Sequence, residues 1–202
     1  MSTLSFVILS DDHAAAPYAA EHGFCLHIGL NGKNILFETG QWAFPLNAER
    51  AGIDLAEVDE CVISHGHYDH TGGIALLLEK NRHVRFWIHS DAALPHFRDA
   101  AGTAKVLTMS DKDRRALKAL PVHRLRHASS PAGITRDAGI VCPIPRTHSL
   151  EDTGGRFFRD LKLTQPDSID DELALWIRHE KGLVIVTGCC HAGFINTCEA
   201  VK

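Results

Sequence analysis

Apolar positions along this 202-residue chain fall into two rhythms, one of period two and one near 3.6. Short apolar or alternating runs, LSFVIL at 4–9, FCLHIGL at 24–30 and NILFE at 34–38, predict strands, and NGK between the last two is a hairpin turn signal. Helical spacing appears near 44–52 and in GGIALLLEKN at 72–81, with the strand ECVIS at 60–64 between them. VRFWIH at 84–89 predicts a strand, 91–100 a helix, KVLTM at 105–109 a short apolar run, and SDKDRRALKAL at 110–120 a helix capped by Ser110. Residues 121–170 are rich in Pro, Gly, Arg and Ser, the composition of a long loop that is mobile or covers a site. LALWIR at 173–178 and LVIVTG at 183–188 predict a closing hairpin, followed by a helix from Phe194 to Val201. Strands mixed with helices in this order predict an α+β fold of layered sheets with helices outside, as one domain over 1–202.

Composition narrows the partners. Charged residues make up 23% and the formal net charge is -4, so no broad basic field is present for nucleic acid or an anionic membrane. The expected partner is a small molecule. The longest apolar runs are far shorter than the roughly 20 residues that cross a bilayer. Six cysteines without a repeating spacing, and an N-terminus without a basic-then-apolar layout, predict reduced thiols and a cytoplasmic protein.

Fourteen histidines are the compositional outlier. Those beside charged or polar residues, such as His83, His123, His127 and His179, read as solvated surface. The stretch CVISHGHYDHTGG at 61–73 reads differently, because His65, His67, Asp69 and His70 crowd into one loop between a buried strand and a helix. His65 and His67, two apart, can project to one side of an extended backbone. Gly66, Gly72 and Gly73 permit backbone shapes other residues resist. Imidazole and carboxylate suit Zn, Fe or Mn, and this many donors exceeds what one tetrahedral ion uses, which hints at two metals.

These residues resemble the metallo-β-lactamase superfamily, whose defining stretch is H-x-H-x-D-H. AEHGFCLHI, NILFETGQ, VISHGHYDHTGG and TGCCHAGFINT further resemble a subgroup around dihydropterin ribofuranosylaminobenzene phosphate synthases, over residues 4–200 and most weakly at 85–165. The resemblance implies a four-layer αββα sandwich. It implies a first metal on His65, His67 and His191, a second served by Asp69 and His70, and water between the ions as nucleophile. It also implies that Asp69 orients that water or takes its proton. Zinc is the expected metal, as one or two ions, with iron or manganese as alternatives.

The same resemblance bears on weaker candidates. Glu38 stands where the family usually has Asp, a residue that supports the metal loop without touching metal. His22, with Glu21, belongs to the subgroup pattern near the site, and a strand-leading turn explains it equally well. Asp170 and Asp171 read first as a cap or loop anchor. Cys189 and Cys190 stand beside His191 and read first as small buried thiols, with zinc ligation or a nucleophilic role the alternatives. His148, with Arg146, is a candidate for a substrate phosphate.

Subgroup members continue beyond TGCxHAG, through a further strand and a later ligand turn. The pattern thus breaks at Lys202, the αββα sandwich is expected to be incomplete at the C-terminus, and the exposed edge predicts a homodimer. The expected activity is metal-dependent hydrolysis of a phosphoester or cyclic ester. The alternatives are a pterin-pathway synthase-like enzyme and a non-catalytic metal-binding module with an incomplete dinuclear site.

Overall fold

The computed structural model describes residues 3–202. The chain forms two compact units, and it passes between them repeatedly. One comprises the segment ending at Ile63 together with Tyr68–Ile88 and Met109–His127; the other comprises Ser64–His67, His89–Thr108 and Ala128–Lys202.

The first unit is built on a six-stranded sheet. In chain order its strands are β1 (Leu4–Ser10), β2 (Cys25–Leu30), β3 (Lys33–Phe37), β4 (Glu60–Val62), β5 (Arg85–His89) and, after two strands of the other unit, β8 (Leu125–Ala128), and this is also their spatial order. β1, β2 and β3 pair antiparallel, then β3, β4 and β5 run parallel. Asn31 and Gly32 join β2 to β3 with φ of 50° and 79°, which is why the hairpin closes there with two residues. Leu36, Phe37, Ile63, Ile74, Leu77 and Phe86 are fully buried in its core.

Four helices belong to this unit: α1 (Ala43–Arg50), α2 (Tyr68–Thr71), α3 (Ile74–Lys80) and α4 (Asp111–Lys118). α1 has no cap from its own preceding residue; instead the Glu21 carboxylate accepts from the backbone N–H groups of Gln41, Trp42 and Ala43 at 2.8, 2.7 and 3.1 Å. α4 starts as predicted, with Ser110 Oγ accepting from Asp113 N at 3.1 Å. Asp113 Oδ1 in turn accepts from Ala75 N in the first turn of α3 at 2.9 Å, so one carboxylate serves two helix starts.

The second unit holds two sheets. A four-stranded antiparallel sheet is ordered β13-β12-β10-β9, from β9 (Ala132–Gly133), β10 (Ala138–Val141), β12 (Ala174–His179) and β13 (Gly182–Val186). A three-stranded sheet is ordered β11-β6-β7, from β6 (Phe97–Ala100), β7 (Thr103–Val106) and β11 (Phe157–Phe158). The helix α5 (Phe194–Val201) closes the chain. Ile140, Leu173, Leu175 and Ile177 are fully buried.

One expected helix is absent. Residues 91–100 form a short 3-10 turn at Ser90–Ala93 and then β6. Pro95 is the cause: it lacks an N–H, and it drives Leu94 into extended geometry at φ −73° and ψ 159°. The loop expected at 121–170 contains β8, β9, β10 and β11 among its turns.

Candidate metal centre

The histidines of H-x-H sit on a segment fastened from several sides. Ile63 N donates to Trp87 O at 2.9 Å, which prolongs the pairing of β4 with β5 before the chain leaves the first unit. In the second unit Leu173 N donates to Ser64 O at 2.8 Å, Gly66 N donates to Asp171 Oδ2 at 2.8 Å, and His67 makes an antiparallel bridge with Thr108. An extended backbone with a period of two then sends His65 and His67 the same way. Their ring centroids are 4.4 Å apart at an interplanar angle of 73°.

His191 meets them from the turn between β13 and α5. Its ring lies 4.9 Å from that of His65 and 5.1 Å from that of His67, both edge to face. The three rings are buried, at 0%, 3% and 7% exposure for His65, His67 and His191. Phe157 walls the cluster, 4.9 Å from the His191 ring and 5.6 Å from that of His67.

The His191 turn is held on every side. Glu172 accepts from His191 N at 2.7 Å and from Ala192 N at 2.5 Å, Arg146 donates to His191 O, and the His191 Nδ1 is 2.7 Å from Thr153 O. With Nδ1 committed to Thr153 O, Nε2 is the buried ring nitrogen, and the Cys189 side chain lies beside the imidazole. Burial opposes its protonation, but the Cys189 thiol, the Thr153 carbonyl and Glu172 outweigh that and raise the His191 pKa above the ordinary histidine value. Burial also raises the Glu172 carboxyl, although the Ala192 and His191 N–H groups and Arg146 pull against it.

A second cluster lies in the first unit. Asp69 and His70 open α2, where His70 Nε2 is 3.3 Å from Asp69 Oδ2. Thr39 donates to His70 O from both its N–H and its hydroxyl at 3.0 Å, and Phe24 N donates to Asp69 O at 3.3 Å. Glu38, fully buried, brings Oε1 within 3.6 Å of His70 Nδ1 from a left-handed backbone at φ 66°, a strained shape for a residue with a side chain. The exposed His22 ring places Nε2 3.6 Å from Asp69 Oδ2 and Nδ1 2.9 Å from Asp12 Oδ1.

The remaining sequence candidates are placed as follows. Asp171 anchors the Gly66 backbone. Arg146 is spent on the carbonyls of His191 and Ile169. His148 N donates to Asn196 Oδ1 at 2.9 Å and its Nδ1 accepts from Leu150 N, so His148 belongs to the turn beneath α5. Cys189, expected as a small buried thiol, is exposed, because its turn projects ahead of His191; His65, Cys189 and His191 each offer a donor atom within 4.8 Å of the others.

Sequence reasoning passed over His96, Asp167, Arg159 and Glu172. His96 is fully buried under His67, with ring centroids 5.1 Å apart, and its Nδ1 lies 2.8 Å from Asp167 Oδ2. Arg159 reaches Asp167 Oδ1 at 2.8 Å. Burial opposes ionisation of Asp167, but His96, the Ile169 N–H and Arg159 prevail and hold its pKa below the ordinary value. Only Glu172 left a trace in sequence, as the last residue of the acidic run DDE.

The donors fit a metal: His65, Cys189 and His191 each offer a ligand atom within 4.8 Å of the others, and the His67 ring lies 4.4 and 5.1 Å from the two imidazoles. The fold is of the metallo-β-lactamase type, and this cluster has donors that could hold a metal ion. The chain belongs to the metallo-β-lactamase superfamily, whose family model matches residues 20–189. It is 29% identical over 215 residues to 7,8-dihydropterin-6-methyl-4-(β-D-ribofuranosyl)-aminobenzene-5'-phosphate synthase of Methanocaldococcus jannaschii, covering 97% of this chain and 71% of that protein. It is 30% identical to an uncharacterised protein of the same organism, covering 96% and 73%. Its fold matches the crystal structure of Tm1679, a metal-dependent hydrolase of the β-lactamase superfamily, with a TM-score of 0.78 at 24% identity over 98% of this chain and 71% of that one. Among the described residues no helix is long and apolar enough to cross a membrane.

Proposed function

We propose that this protein is a metal-dependent hydrolase of phosphoester or cyclic ester substrates. His65, His67 and His191 hold its first ion, and Asp69 and His70 serve a second. The observation that carries the reading is the convergence of three buried imidazoles from two distant segments, with ring centroids 4.4 to 5.1 Å apart. Zinc is the expected metal, and iron or manganese suit the same donors.

A bound divalent ion supplies Lewis acidity, polarising a phosphoryl or carbonyl oxygen and making water a competent nucleophile near neutral pH. The chain's own residues do the rest. Glu172 and Arg146 fix the His191 backbone, Thr153 O fixes its ring, Phe157 keeps water from one flank, and Asp69 orients the attacking water or takes its proton. Glu38 supports His70 from its buried position. We propose further that the protein acts in the cytoplasm on a small molecule, rather than on nucleic acid or a membrane, and as a homodimer.

The synthase named among its relatives supports a second reading, in which the same centre serves bond formation on a pterin phosphate. A third reading is a non-catalytic metal-binding module that keeps the imidazole cluster without turnover. Elemental analysis of protein purified without chelators, with a generic phosphodiester as substrate, separates them. About two ions per chain with turnover fits the hydrolase; one inert ion fits the module; turnover of a dihydropterin without diesterase activity fits the synthase. His67→Ala should abolish both metal uptake and turnover, and a His67→Ala protein that still hydrolyses the diester would refute the leading reading.

A further inference from the structure

Two cysteines stand side by side ahead of His191, and their surroundings differ. The Cys190 sulfur lies 3.7 Å from Thr197 Oγ1, facing α5, on a residue with φ of 58°. Cys189 is exposed, and its sulfur shares a space with a nitrogen of His65 and a nitrogen of His191, all within 4.8 Å of one another. A single zinc ion spans such a group with Zn–S and Zn–N bonds of about 2.3 and 2.0 Å. The second observation concerns the imidazole: His191 is more than nine-tenths buried, its Nδ1 is held by Thr153 O, and its buried Nε2 is the ring nitrogen left for an ion beside the Cys189 side chain.

We propose that Cys189 is a fourth protein donor to the ion position formed by His65, His67 and His191. This rests on the metal-centre reading above and adds a soft ligand to it. On ligation the S–H bond breaks, its proton leaves to solvent, and the sulfur lone pair makes the bond to the ion, with no change of oxidation state. With Cys189 added to the three imidazoles, the chain would offer an ion four protein donors. A thiolate also shifts preference toward zinc and away from manganese or magnesium, which favour oxygen donors.

Cobalt(II) loading tests the proposal without recourse to activity. Apo protein given cobalt should develop the near-ultraviolet sulfur-to-cobalt charge-transfer band. The band should persist in Cys190→Ser and Cys198→Ser and vanish in Cys189→Ser, while the visible d–d bands of the latter show that cobalt is still bound. Alkylation mapped by mass spectrometry is the second measurement: zinc should protect Cys189 from iodoacetamide, and chelation should restore its reactivity. Cobalt bound with no charge-transfer band, a band that survives Cys189→Ser, or alkylation of Cys189 indifferent to zinc would each overturn the fourth-donor assignment alone. Failure of the wild-type protein to bind either ion would overturn both it and the metal centre.

Discussion

Asp171 Oδ2 accepts the backbone N–H of Gly66 at 2.8 Å, tying the residue between the two histidines of H-x-H to a carboxylate 105 positions away in sequence. Asp171 is fully buried, with Oδ2 at 3.6 Å from His96 Nε2 and Oδ1 at 3.8 Å from Arg159. Gly66 has no room for a side chain, since a Cβ would lie 2.0 Å from Ala92 O and 2.8 Å from His96 Nε2. Removing Asp171 leaves the buried Gly66 N–H without its acceptor, while His96 and Arg159 keep Asp167, so Asp171→Ala should cost about 1–3 kcal/mol. Gly66→Ala should cost roughly 2 kcal/mol through overpacking and reduce metal uptake with it. Urea denaturation with an unchanged m-value reads both; wild-type stability in either variant would remove the anchoring role.

Glu172 holds the other side of the centre through the N–H groups of His191 and Ala192. Glu172→Ala should leave those donors buried and loosen the turn, weakening zinc by roughly 10- to 100-fold while the helix content stays unchanged. Glu172→Gln, which keeps one acceptor oxygen, should fall between. Competition with a chromophoric chelator measures the affinity, and equal affinities across the three proteins would show that the turn is held by Arg146 and Thr153 without help.

Asp113 gives stability a pH dependence. Burial raises its pKa above the ordinary 3.8, and the Ser110 hydroxyl and Ala75 N–H only partly offset this. A raised folded-state pKa means that the native protein binds the proton more tightly than the unfolded chain. Its contribution is complete below the ordinary value and is lost as pH rises through the folded one. Asp113→Asn should therefore flatten the fall in stability over that acidic window, and denaturation midpoints collected across it should diverge from wild type; parallel curves would contradict the assignment.

β1 forms one edge of the six-stranded sheet, and Phe6 and Ile8 on it are 43% and 57% exposed. A seven-residue edge with apolar side chains is a template for pairing with a second copy. Sedimentation should give a dimeric mass at micromolar concentration, and the double change Phe6→Lys and Ile8→Lys should shift it to monomer. A wild-type protein that sediments as a monomer sinks the homodimer.

Where a local signal was sufficient, the sequence located the element closely. Asn31-Gly32 set the first hairpin, Ser110 set the start of α4, and helical spacing matched α5 from Phe194 to Val201. The helix expected at 91–100 does not form because Pro95 holds Leu94 in extended geometry. The strands β9 and β11, two residues each, are too short to show any period. The division into two units left no mark in composition either, since the chain moves between them in segments as short as the four residues Ser64–His67, without a linker.

The sequence alone determined the first cluster of donors, because His65, His67, Asp69 and His70 are neighbours along the backbone and their chemistry is legible at any spacing short enough to share a loop. Only the tertiary structure decided what surrounds them: the His96–Asp167–Arg159 network beneath His67, the Glu172 clamp on His191, the exposure of Cys189, and the strained Glu38 beside His70. Those relationships join residues that are far apart in the chain. A buried charge or an unpartnered nitrogen is defined by what packs around it, and packing is fixed only when strands and turns have closed.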